Sequence, residues 1–105
     1  MAQFDVYRNP SKTTKTFFPY LVDIQSPYIS ELATRMVIPL GVASYFGNEA
    51  MKGLTPEFNF EGEKLLLLTP QISSIPKSQL KDPIGSLIHF REQIINAIDF
   101  AILSI

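Results

Sequence analysis

The sequence predicts a mainly β domain that ends in one α-helix. Short runs of alternating, aromatic or branched residues recur along most of the chain, and eight Pro and eight Phe are typical of short strands joined by tight turns. The last stretch, residues 87–105, instead carries apolar residues at helical spacing. Strands first and a long helix last imply an antiparallel sheet or small barrel with one packed helix. A length of 105 residues predicts one domain, 1–105.

Three strands are predicted in the first part of the chain. Residues 3–8 alternate between apolar and polar, residues 17–25 are rich in aromatic and branched side chains, and residues 35–40 form a third apolar run. A central strand cannot spare a backbone donor. We therefore expect Pro19 near the start of the second strand and expect Pro39 to close the third.

The middle of the chain predicts a hairpin between two less regular segments. Residues 43–52 can hold a short helix that ends near Gly53. Residues 57–60 and 64–68 flank Glu61-Gly62-Glu63, which predicts a hairpin with glycine at a left-handed position. A further strand over residues 71–75 ends at Pro76.

The final helix is expected to begin within residues 82–86, with Asp82 as N-cap and Pro83 in the first turn. Its apolar stripe consists of Leu87, Ile94, Ile95, Ile98, Ala101, Ile102 and Ile105. Phe100 and Leu103 lie off that stripe, so the last two turns are apolar nearly all round. Such a helix has to be covered. We expect a second protein chain to cover it, and we expect function at this terminus, although Asp99 and the terminal carboxylate oppose the helix dipole.

Composition excludes several classes of site. The chain has no Cys and one His, which excludes disulfides, zinc-thiolate sites and His-rich metal sites. Its net charge of −1 lacks the basic character of a nucleic-acid binder. We expect a cytoplasmic protein, since neither a signal peptide nor a membrane-spanning run is evident. No cofactor or metal is predicted.

The inventory of catalytic residues is poor. His89 is the only imidazole, and Glu92 one turn later could orient it as a general base, but a solvated or packing role is favoured. Ser73-Ser74 is not part of a nucleophile-elbow motif. The glutamates at 57, 61 and 63 are interpreted as a solubilising hairpin tip in preference to a metal site. Arg35 either contacts a phosphate or carboxylate or serves solubility at a strand edge. The residues therefore favour a binding protein over an enzyme.

Several blocks resemble the CcdB family of toxins from toxin–antitoxin modules. The opening residues 1–7 are similar to the family's first strand, residues 21–26 to its second strand and turn, and residues 35–40 form the most specific block. Residues 68–69 and 74–76 fit later strands, and residues 96–100 with Ile105 fit the terminal helix. The similar blocks occur in order along essentially the whole chain.

The resemblance implies an SH3-like barrel with a small extra sheet and a C-terminal helix. It also implies a homodimer without enzymatic activity that binds the A subunit of DNA gyrase and traps gyrase on cleaved DNA. A CcdA-type antitoxin neutralises such a toxin, and the two together repress their operon, with operator DNA contacted through the antitoxin. These toxins occur in plasmid and chromosomal modules and need no membrane.

The resemblance places gyrase contacts at Leu103, Ser104 and Ile105, where the family typically has Trp-Gly-Ile and only the isoleucine matches. The dimer interface is expected at Ile98, Ala101, Ile102 and Ile105. Two alternatives stay open. One is an endoribonuclease of the related MazF and Kid type, which would recruit Arg35 and His89. The other is a family member that has lost gyrase poisoning, as the residues at 103 and 104 suggest.

Overall fold

The fold is a curled antiparallel half-barrel sheet with one C-terminal helix, as a computed structural model shows for residues 2–29, 31–47, 50–51 and 53–103. The strands are β1 (Asp5–Arg8), β2 (Tyr20–Asp23), β3 (Thr34–Val42), β4 (Glu57–Phe60), β5 (Glu63–Leu67), β6 (Ser73–Pro76) and β7 (Gly85–Ser86). The helices are α1 (Ala43–Phe46) and α2 (Arg91–Ile102). The predicted fold class, including its consistency with an SH3-like barrel, is confirmed.

The sheet is organised around the nine-residue strand β3. Its strand order is β4-β5-β3-β2-β1-β7, and β6 branches off by pairing with β3. On the side away from β2, the first half of β3 pairs with β6 and the second half pairs with β5. One strand thus changes partner along its length, which lets the sheet curl.

Pro39 does not end β3, contrary to the sequence prediction. It lies between Val37, the last residue of β3 to pair with β6, and Leu40, the first to pair with β5. Proline removes only the backbone donor of its own residue. At this change of partner no ladder bond is lost, and the Pro39 carbonyl still accepts a 3.0 Å bond from the Leu68 N–H.

The start of the predicted C-terminal helix is also different. Gly85 and Ser86 form β7 and extend the edge of β1, and a 3₁₀ turn over Ile88–Phe90 precedes α2. Asp82 and Pro83 therefore do not cap the helix. Leu87 is buried as predicted, but it packs on the core from outside α2.

Other boundaries are shorter than expected, while the hairpin is confirmed. The first strand begins at Asp5 because Phe4 takes a left-handed φ of 72°, and the second covers only Tyr20–Asp23, directly after Pro19. Phe60 pairs with Glu63, so the loop between β4 and β5 is two residues long. Glu61 and Gly62 both have positive φ, as a type I′ turn requires.

The two faces of the sheet bury two separate clusters, because neighbouring side chains of a strand point to opposite faces. The larger cluster joins Val6, Val22, Ile38 and Leu40 with α2. The smaller one contains Tyr7, Leu21, Val37 and Leu80, with Ile75 packed against it. Helix α2 therefore covers one face, and Leu80, at the end of a 3₁₀ turn, packs on the opposite face.

Candidate functional site

The last turns of α2 present an uncovered apolar surface. Ile94 and Ala97 on the inner side are completely buried, and Ile98 packs partly buried against the same core. On the outer side Phe100 is 47% exposed, Ile102 is 59% exposed and Leu103 is 69% exposed. The Leu103 N–H donates to the Asp99 carbonyl at 2.8 Å and ends the helical hydrogen bonding.

The predicted terminal contact residues are described only in part. Leu103 lies at the exposed end of α2, whereas Ser104 and Ile105 lie outside the described residues. Of the predicted dimer-interface residues, Ala101 and Ile102 are exposed, Ile98 is half-buried on the chain's own core, and Ile105 again lies outside. The structure thus brings Ala101, Ile102 and Leu103 to one exposed helix end.

A pocket of about 360 Å³ adjoins this helix end. Helix residues 100–102 form one wall, and Leu54, Pro70 and Ile72 form the others together with Thr69. The Thr69 hydroxyl donates to the Leu54 carbonyl at 2.6 Å and so ties the two non-helical walls together. The exposed helix end therefore continues into a concave apolar surface that can receive a side chain of another molecule.

A second exposed apolar surface was missed by the sequence reasoning. Tyr28, which is 96% exposed, lies with Ile29 in the 3₁₀ turn after β2, and Leu32 and Met36 follow it, also exposed. The buried Gln25 braces this segment: its amide donates to the Ile29 carbonyl at 2.6 Å and accepts from the Met36 N–H at 2.9 Å. The signal was present in the sequence, since an aromatic and an isoleucine directly follow a turn proline.

Arg35 is buried, so the prediction of a solubility role at a strand edge is wrong. Its guanidinium lies 2.6 Å (Nη2) and 2.8 Å (Nε) from Oδ2 of Asp23, and the two side chains are 1% and 0% exposed. The carboxylate contact that the sequence allowed is therefore made inside the chain. Arg35 does not offer its guanidinium to a phosphate at the surface, which removes one of the two residues that a nuclease would recruit.

Tyr7 is buried close enough to this ion pair for the charges of Asp23 and Arg35 to affect its pKa. Its hydroxyl is buried without a hydrogen-bond partner among the described residues. Burial, with additional effects from the charges of Asp5 and Asp23, raises the pKa of Tyr7 to about 12, and Arg35 opposes the rise. Tyr7 therefore stays protonated throughout the physiological range.

The remaining candidate catalytic residues are exposed and lie in three separate places, one of which, a pocket at the start of α2, is lined by both His89 and Glu92. His89 lies in the 3₁₀ turn before α2 and Glu92 in the first turn of α2, and no ion pair joins them in the described part of the chain. Ser73 and Ser74 lie on β6, and the three glutamates lie on the β4–β5 hairpin. Within the described ranges, no group of three acidic or histidine side chains is placed to hold a metal. None of the helices described is long and apolar enough to span a membrane.

A comparison with protein families agrees with this architecture. A family model described as CcdB protein matches residues 3–103, nearly the whole chain. The match includes every described element, from β1 to the exposed end of α2.

Proposed function

The chain belongs to the CcdB family of toxins from toxin–antitoxin modules, and from that premise we propose that it poisons DNA gyrase. It acts in the cytoplasm as a homodimer that binds the gyrase A subunit and traps the cleaved gyrase–DNA complex. Its action is steric and interfacial, so it needs no catalytic residue of its own. A CcdA-type antitoxin neutralises it and joins it in repressing their operon.

The uncovered end of α2 carries this proposal. Exposed side chains of this size are unfavourable in water, and burying one against a partner contributes about 1.5–3 kcal/mol. Phe100, Ile102 and Leu103 lie within four consecutive positions and are all exposed. No basic residue lies in the last turn of α2, so contact there is driven by apolar burial and shape.

Two binding partners are proposed to cover this surface. Ala101 and Ile102, with Ile98 and Ile105, form a seam with the second protomer. Leu103, with Ser104 and Ile105, contacts gyrase. A two-fold axis brings two copies of α2 together, and a paired surface of this kind matches the two-fold symmetry of a dimeric target.

The target contact is tested with Leu103→Asp and with a truncation before Leu103, using Leu32→Asp as the matched control. Both leucines are exposed, so neither substitution disturbs the core. The 69% of the Leu103 side chain that is exposed in the free chain would be buried against gyrase, so its loss should weaken binding to immobilised gyrase A subunit about 5- to 30-fold. Inhibition of supercoiling and accumulation of cleaved DNA should fall in parallel, while Leu32→Asp keeps both activities.

Several outcomes contradict the assignment. Unchanged gyrase inhibition by the folded truncated protein would show that the terminus is not the contact. Failure of the wild-type protein to bind the gyrase A subunit at micromolar concentration would favour the alternative that this chain is a family member that has lost gyrase poisoning. Cleavage of purified RNA by the protein would favour the alternative that it is an endoribonuclease of the MazF and Kid type.

The seam is tested separately by Ala101→Glu and sedimentation. A carboxylate placed at a symmetric apolar seam faces its own copy, so we expect the variant to sediment as a monomer where the wild type is a dimer. A variant that remains dimeric at equal concentration would exclude Ala101 from the seam.

A further inference from the structure

A cleft of about 430 Å³ opens where β1 ends and β2 begins. Its lining comes from the end of β1, from the loop that follows and from the start of β2, and consists of Arg8, Asn9, Lys15, Thr16, Pro19 and Tyr20. None of these six residues is acidic. The cleft shares no residue with the pocket beside the end of α2, so it is a separate site.

Hydrogen bonds fix the backbone on both sides of this cleft. The Asn9 N–H donates to the Pro19 carbonyl at 3.0 Å, and the Asn9 side-chain amide donates to the Phe18 carbonyl at 2.7 Å. Within the loop, the Lys15 N–H donates to the Ser11 carbonyl at 3.1 Å. A site whose backbone is already fixed loses little conformational entropy when it binds a ligand.

The β2 side of the cleft carries two ring side chains. Tyr20 lies directly opposite Arg8 in the register of β1 and β2. The Tyr20 ring packs edge-on against Phe60, with ring centroids 5.2 Å apart, and the half-buried Pro19 precedes it. The cleft therefore combines a well-anchored wall with cations from the end of β1 and from the loop.

The charged groups that line the cleft are all cationic. Arg8 and Lys15 are exposed, and in the part of the chain that the structure describes the one ion pair is the buried pair described above. No acidic residue occurs between positions 6 and 22. The pocket at the start of α2 is different, since Glu92 lines it beside Arg91. Two cations on the walls of one cleft repel each other, and an anion bound between them removes that repulsion.

We propose that this cleft binds a phosphate monoester, the chemistry shared by a free nucleotide and the terminal phosphate of a nucleic-acid strand. The planar guanidinium of Arg8 suits two phosphate oxygens at once, and the ammonium of Lys15 supplies a second positive charge. The Thr16 hydroxyl adds a further donor. The cleft is larger than a phosphate group, so the sugar and base have room beside the ring side chains. The proposal does not depend on gyrase.

A carboxylate fits the same groups less well. It has two acceptor oxygens and a single negative charge, whereas a phosphate monoester has three terminal oxygens and a charge of about −1.5 to −2 at neutral pH. Two cations that approach from different stretches of the chain match the higher charge. We therefore expect the site to prefer phosphate over carboxylate.

The test follows the amide resonances of the full-length protein during titration with AMP. Adenosine, which lacks the phosphate, and acetate serve as comparisons. We expect AMP to shift the resonances of residues 8–20 to saturation, more tightly than either comparison, and to bind more weakly as salt rises. Equal binding of adenosine or acetate, or shifts spread evenly over all exposed cations, would overturn the proposal.

Two oligonucleotides distinguish the sources of the phosphate. One strand carries a terminal phosphate, and the other has the same sequence without it. Tighter binding of the phosphorylated strand than of AMP would assign the strand end as the ligand, and the reverse order would assign the free nucleotide. Equal binding of the two strands would contradict recognition of a monoester.

Substitution of Arg8 gives the sharpest local test. Arg8→Gln should weaken AMP binding about 5- to 10-fold, because it removes both the charge and the paired donors. Arg8→Lys keeps the charge and should have a smaller effect. Arg91→Gln makes the same change at the start of α2 and should leave AMP binding unchanged. Both arginines are exposed, so thermal melts should not change, and equal effects of Arg8→Gln and Arg91→Gln on AMP binding would refute a local site.

Discussion

Replacing Asp23 with Asn should be among the most destabilising conservative changes in this chain. Asp23 and Arg35 are both buried, and Oδ2 of Asp23 lies 2.6 Å and 2.8 Å from two nitrogens of the guanidinium. Oδ1 accepts from the Gln25 N–H at 2.9 Å. The substitution preserves size and removes the negative charge, which leaves a buried guanidinium without a counter-charge.

The magnitude follows from these distances. Two unit charges about 2.7 Å apart attract by about 6 kcal/mol at an effective dielectric constant of about 20, and the desolvation of both ions offsets most of that energy. Removing one partner leaves the desolvation of the other uncompensated, at a cost of about 3–5 kcal/mol. A domain of this size is stable by about 5–15 kcal/mol, so Asp23→Asn should remove a large part of that stability.

The assay is urea unfolding followed by circular dichroism at fixed protein concentration, since the proposed dimerisation would add to apparent stability. Asp82→Asn is the matched control, because Asp82 is exposed and its change should stay within about 0.5 kcal/mol. The double replacement Asp23→Leu with Arg35→Met removes both charges and should be far less costly than Asp23→Asn. A cost of under about 1 kcal/mol for Asp23→Asn would refute this account of the ion pair.

Three further predictions concern packing and pH. Because the pKa of Tyr7 is about 12 in the folded protein against 10.0 ordinarily, the unfolded chain releases that proton first, and stability should fall by about 2–3 kcal/mol between pH 10 and 12. Tyr7→Phe should remove this alkaline loss in unfolding measured across that range, and an unchanged loss would contradict it. Gly85→Ala should lower stability by about 1–3 kcal/mol, since a Cβ there would lie 2.7 Å from the Phe60 ring. Gly47→Ala, with open space around it, should be nearly neutral in the same thermal melts. Ile94→Ala should cost about 2–5 kcal/mol in urea unfolding, since Ile94 is fully buried between α2 and the sheet.

The sequence predicted correctly those elements that depend mainly on residues close to one another in the chain. The alternation of residues 3–8 predicted a strand with one buried face; the strand is present, but the structure buries both Val6 and Tyr7, in different clusters. Gly62 marked the hairpin because few other residues adopt its φ of 77° without cost. The exposed apolar end of α2 was also predictable, since no arrangement of one narrow helix face buries Phe100 together with Ile94.

The errors arose where distant segments compete with local preferences. Asp82-Pro83 is a good helix start by itself, but residues 85–86 pair with β1, about eighty positions earlier in the chain. Pro39 ends an ordinary strand, but here the strand changes partner at that point. Arg35 was assigned to the surface because its own segment does not show its partner Asp23, which lies on the neighbouring strand. Each error concerns a long-range pairing that one segment does not encode.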